Sequence, residues 1–167
     1  DTITGVSEFP DSAETPVSRP PHVVLDTAGD LPLTPHRYAE AFEALRDRAD
    51  AAPQRPSVFL ANLGPIAVHT GRAMFAKNFF EVAGIAVLGN DGFDSPVAVE
   101  AAFAASGAQL ACICSSDKVY EDRAEAKARA LHDAGAARVY LAGRHEAPGV
   151  DEHGYTGCDA LETPTRA

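Results

Sequence analysis

Ser57-Val-Phe-Leu-Ala-Asn-Leu-Gly-Pro-Ile-Ala-Val-His-Thr-Gly71 carries the change of period on which the fold turns. Val58-Phe-Leu-Ala61 is a short, unbroken apolar run, the pattern of a strand buried on both faces. Gly64-Pro65 interrupts it. From about Val68 to Ala83 the spacing becomes helical, with Met74, Phe75 and Phe79 as the expected inward stripe and Gly84 as the stop. The alternation then repeats. Ile85–Leu88 reads as a second strand, and Ser95-Pro96 as a cap followed by a helix over Val97–Ala105. Leu110–Cys114 is a third strand. A long charged helix follows, capped by Ser116 or Asp117 and ending near Ala134-Gly135, and Arg138–Leu141 is a fourth strand. The order β-α-β-α-β-α-β predicts an open parallel sheet with helices on both faces. Right-handed crossovers make it a doubly wound, flavodoxin-like α/β fold. Gly154-Tyr-Thr is the candidate for a fifth, edge strand, and Cys158–Glu162 for the start of a last helix that Pro164 keeps short.

Upstream the pattern is different. Residues 1–33 hold Pro10, Pro16, Pro20, Pro21 and Pro32 and read as an extended linker or arm. Residues 34–52 read as a docking helix. Thr34 suits its cap, Pro35 its first position, and Tyr38, Phe42, Leu45 and Ala49 its apolar stripe. Residues 57–167 form the flavodoxin-like domain.

The chain has 167 residues, 46% apolar and 23% charged, which fits a globular domain with an extra segment. Its 14 basic and 24 acidic residues give a formal charge of −10, so a nucleic acid is not an expected partner. No run of 18 apolar residues predicts a membrane span, no signal peptide is visible, and the cytoplasm is the expected compartment. Cys112 and Cys114 lie two apart in a strand run, and their spacing predicts core residues on one face rather than a zinc site.

Ligands of such sheets sit beyond the carboxyl ends of the strands. The loop after the first strand has neither GxGxxG nor GxxxxGK[ST], so a phosphate cradle is not expected. It also lacks the acidic residues of a phospho-acceptor. The segment from Arg55 to Phe80, together with Asp1–Pro10 and Tyr38–Arg46, resembles the small subunit of methylmalonyl-CoA mutase, in its C-terminal, cobalamin-binding-like domain. That resemblance implies three motif positions. The Asp and His of D-x-H-x-x-G fall on Ile66 and Val68, and only its glycine is kept, as Gly71. S-x-L falls on Ser115-Ser116-Asp117, and the G-G pair on Ala142-Gly143. An aliphatic side chain cannot ligate cobalt, so the resemblance implies a degenerate domain with no cofactor of its own. Adenosylcobalamin and catalysis are then expected in the partner large (alpha) subunit, and this chain is expected to be a structural, non-catalytic fragment of the isomerase.

Other residues carry weaker signals. Asp91-Gly-Phe-Asp94 imitates the motif but follows the second strand, and reads as a turn. His69 lies one position from the motif histidine and reads as a loop or first-turn residue. His145, His153, Glu146, Asp151 and Glu152 read as a solvated loop rather than a metal site. Ser115 and Ser116 lack a nucleophile elbow. No catalytic residue and no metal ligand is expected. Two other functions stay open on the residues alone. One is a degenerate module that binds a nucleotide, metabolite or corrinoid in the same crevice. The other is an adaptor docking through residues 34–51.

Overall fold

The computed structural model describes residues 38–93 and 95–165. The expected arm, Thr34, Pro35 and Asp94 lie outside the described residues. Five parallel strands form one sheet in the order β2-β1-β3-β4-β5. They are β1 Ser57–Asn62, β2 Ala86–Leu88, β3 Leu110–Cys114, β4 Arg138–Ala142 and β5 Glu152–Gly154. Helices α1 Glu40–Ala51, α2 Ile66–Glu81, α3 Pro96–Ser106, α4 Asp117–Asp133 and the short α5 Glu162–Thr165 complete the chain. This is the flavodoxin-like arrangement read from the alternation.

The central strands are apolar throughout because both of their faces are covered. Successive side chains alternate between two cores. Phe59, Ala61, Ala111, Ile113, Val139 and Leu141 point to the side of α3 and α4. Val58, Leu60, Leu110, Cys112, Cys114 and Tyr140 point to the side of α1 and α2. Cys112 and Cys114 thus share a face, with Sγ atoms 3.9 Å apart, and burial pushes the Cys114 thiol well above its ordinary pKa. Ring contacts knit each core. Phe59 meets Phe93 and Phe103, and Phe80 meets Phe79 and Tyr140 edge to face.

The apolar stripe of α1 is satisfied within the chain. Phe42, Leu45 and Ala49 are buried against the α2 side of the sheet. Gly84 permits that approach. It has a φ of +83°, and a Cβ there would lie 2.9 Å from the Ala49 Cβ and 3.2 Å from the Arg46 Cα. Arg55 then ties the junction by donating to the Gly84 carbonyl at 2.8 Å.

Several local expectations need correction. Tyr38 is 75% exposed and precedes the helix, so the stripe begins at Phe42. On α2, Met74 is 45% exposed, while Ala76, Phe79 and Phe80 turn inward. The fifth strand is Glu152–Gly154, upstream of the expected Gly154-Tyr-Thr, because Gly154 already pairs with Ala142 at the strand's end. Ser95 and Ser116 stand at N-cap positions, yet neither side chain makes a capping bond. The Ser116 carbonyl instead accepts from the amides of Val119 and Tyr120.

Phe59→Ala and Phe79→Ala are expected to cost about 3–5 kcal/mol each, and the exposed Met74→Ala to be near neutral. Denaturant titration of the three variants checks the register. A neutral Phe59→Ala would show that the strand is misplaced.

Candidate functional site

In a 2-1-3-4-5 sheet the strand order reverses between β1 and β3, so the carboxyl ends of β1, β3 and β4 frame the ligand crevice of the fold. Here those ends are bound to one another by side chains. Ser115, directly after β3, is fully buried and donates through its hydroxyl to the Leu63 carbonyl at 2.9 Å, joining the ends of β3 and β1. Tyr120, one turn into α4, is buried beneath the same edge. Its hydroxyl accepts from the Ser115 amide at 2.7 Å and lies 3.0 Å from the Ala142 carbonyl and 3.2 Å from that of Ile113. Burial holds the Tyr120 phenol well above its ordinary pKa, so it stays a neutral donor.

Arg72 closes the outer side. It extends from α2, donating Nη1 to the Ala142 carbonyl at 2.8 Å and Nη2 to Asp117 Oδ1 at 2.9 Å. Gly143 makes room for it. With a φ of +150°, a Cβ at this position would overlap Arg72 Nη1. The small residue after β4 therefore serves an internal arginine.

The motif positions fall as follows. Ile66 and Val68 lie in the first turn of α2, which begins at Ile66 rather than near Val68. Ile66 is 58% exposed. Gly71 is exposed one turn later, and no atom outside its own helix backbone and neighbours lies within 4 Å of a Cβ built there. Ser115, Ala142 and Gly143 are buried beneath the edge, and Asp117 is exposed at the start of α4. The structure thus brings Arg72, Ser115, Asp117, Ala142 and Gly143 together. Ile66 stands apart at the rim.

His69 lies in the first turn of α2, one of its two expected places, and is buried there. It is 3% exposed in α2, and its Nε2 lies 3.3 Å from the Asp91 carbonyl. Nδ1 is buried without a hydrogen-bond partner. Gly92 packs directly on the ring, since a Cβ there would come within 2.7 Å of Nε2. The Asp91-Gly92-Phe93 turn is thus folded over His69. Asn62 and Asn90 brace the same turn, the first donating to the Asn90 carbonyl at 2.9 Å and the second to the Leu60 carbonyl at 2.6 Å. His153 Nε2 lies 3.0 Å from the His145 carbonyl, a loop contact. Among the described residues no group of three His, Cys, Asp or Glu side chains is placed to hold a metal ion.

Sequence reasoning missed Arg72 and Tyr120. Nothing near them in the chain marks their role, because Arg72 reaches partners 45 and 70 positions away. The contrast between the two buried tyrosines can be measured. Tyr140 has no partner for its hydroxyl, and burial pushes its pKa up to about 12. Tyr120→Phe is expected to cost about 1–3 kcal/mol, because the Ser115 amide loses its acceptor, whereas Tyr140→Phe should be neutral or stabilising. Equal losses in denaturant titration would contradict the assigned network.

No helix among the described residues is long and apolar enough to cross a membrane. No family model matches the chain. Individual relatives do. The methylmalonyl-CoA mutase small subunit of Streptomyces virginiae is 49% identical over 172 residues, covering 98% of this chain and 27% of that protein. The probable methylmalonyl-CoA mutase small subunit of Mycobacterium tuberculosis (strain ATCC 25618 / H37Rv) is 37% identical over 155 residues, covering 90% of this chain and 24% of that protein. The small subunit of Propionibacterium freudenreichii subsp. shermanii is 36% identical over 170 residues, covering 96% and 26%. The chain spans about a quarter of the length of these relatives. Over nearly all of its own length, then, the chain belongs with the methylmalonyl-CoA mutase small subunits, as the counterpart of one segment of them.

Proposed function

We propose that this chain is a non-catalytic structural domain of the small subunit of a heterodimeric, adenosylcobalamin-dependent methylmalonyl-CoA mutase. In that reading residues 1–33 are a linking arm, 34–52 a docking helix and 57–167 a degenerate cobalamin-binding-like domain. The whole enzyme interconverts methylmalonyl-CoA and succinyl-CoA by a radical rearrangement, and the large subunit holds the cofactor that carries that chemistry.

The observation that carries the reading is what occupies the crevice edge. The family's motifs supply an imidazole at the first position and, at the other two, small residues that let the cofactor approach. Here the first position is Val68, with Ile66 where the orienting acid is needed. At the second, the Ser115 hydroxyl is engaged by the Leu63 carbonyl. At the third, the space beside Gly143 holds the Arg72 guanidinium. His69 does not substitute, because its ring is enclosed beneath the Asp91-Gly92 turn. The residues present do not fit the cofactor, and no step of the reaction is assigned to them.

What remains is a stable surface. Strand and helix packing, rather than any titrating side chain, is the contribution of this chain to the subunit. The test is assembly. Light scattering of the chain mixed with the purified large subunit should give a complex heavier than either component, and the chain alone should turn over no methylmalonyl-CoA. Turnover by the chain alone, or no association with a large subunit that its full-length counterpart does bind, would contradict the proposal.

A further inference from the structure

The floor of the crevice is sealed, but a chamber of about 960 Å³ lies outside it, between α2, the start of α4 and the loops on either side of β5. Its walls differ in chemistry. Val68 and Phe75 of α2 form an apolar side. Arg72, Arg144, Ser116 and Thr156 supply the polar one. We propose that this chamber binds a small organic anion, its carboxylate or phosphate held between Arg72 and Arg144 and its apolar body lying on Phe75 and Val68. This goes beyond the structural role above and does not depend on it.

Charge is the first support. The chain has 24 acidic against 14 basic residues, so acids outnumber bases overall. The chamber reverses that sign, with two arginines and, among its lining residues, one acid, Asp117. A cleft with low-dielectric walls concentrates the field of such a pair.

Preorganisation is the second. Each guanidinium is already fixed by a backbone carbonyl, which orients it without cancelling its charge. Arg72 donates Nη1 to Ala142, and Arg144 donates Nη2 to the Thr156 carbonyl at 3.3 Å. Arg144 also lies over the Tyr155 ring at 4.5 Å. An arginine has five N–H donors, so these bonds leave others to face a ligand. Holding the side chains in place beforehand removes part of the ordering cost of binding.

The third support is Asp117. Its carboxylate, 66% exposed, sits 2.9 Å from Arg72 Nη2. It shows that an oxyanion is accommodated at this edge, and it is an internal competitor for the same fork. An incoming carboxylate or phosphate would displace it outward into solvent. Removing the competitor should therefore strengthen binding, which a purely structural ion pair does not predict.

The experiment is calorimetric titration of the 167-residue chain with phenyl phosphate and with benzoate, in a low-salt buffer free of competing anions, with benzyl alcohol as the neutral control. The two anions share an apolar ring, so the tighter one identifies the oxyanion preferred. Saturable one-to-one binding of at least one anion is expected, and none of the alcohol. Arg144→Ala, on an exposed side chain, should weaken that binding by about tenfold, and Asp117→Asn should tighten it several-fold. No saturable binding of either anion, or affinities unchanged in both variants, would overturn the site. Neither result bears on association with the large subunit.

Discussion

Two side chains from different helices converge on one backbone oxygen. The Ala142 carbonyl, at the end of β4, receives Arg72 Nη1 from α2 and the Tyr120 hydroxyl from α4. In a parallel sheet the last carbonyls and amides of the strands have no ladder partner, and burial without one is costly. A ligand would commonly meet that need. Here the protein meets it from within. Tyr120 also accepts the Ser115 amide, and the Ser115 hydroxyl reaches the Leu63 carbonyl, so one connected network spans the ends of β4, β3 and β1.

The rest of the edge follows from that closure. Gly143 is required where the arginine passes, and Asp117 gives the guanidinium its counter-charge. On the other side of β1, His69 is enclosed by the Asp91-Gly92 turn, so its imidazole is committed to packing. The same fold that offers a crevice in principle therefore presents a finished surface along its floor.

How much of this could be read in the chain depended on the range of the interaction. Val58–Ala61 and Leu110–Cys114 were legible as strands because burial on both faces leaves an unbroken apolar run. Helical periodicity revealed α1 and α2 but not which residues at a stripe's margin turn inward, so Tyr38 and Met74 were placed in it and Phe80 was not. The Glu152-His-Gly154 strand is short, polar and at an edge, and has no pattern to detect. At the site, the absence of an imidazole donor was visible at Val68, since identity alone decides it. The closure of the edge by Arg72 and Tyr120 was not, because it joins residues distant in sequence. The burial of His69 was equally hidden, being set by a loop that arrives after the next strand.

The central claim, that side chains of this domain occupy the place of a corrin, is tested most directly by absorbance titration with hydroxocobalamin. The chain should leave the cobalt spectrum unchanged and elute free of corrinoid on gel filtration. A stoichiometric complex with the imidazole of His69 or of another histidine on cobalt would contradict the account.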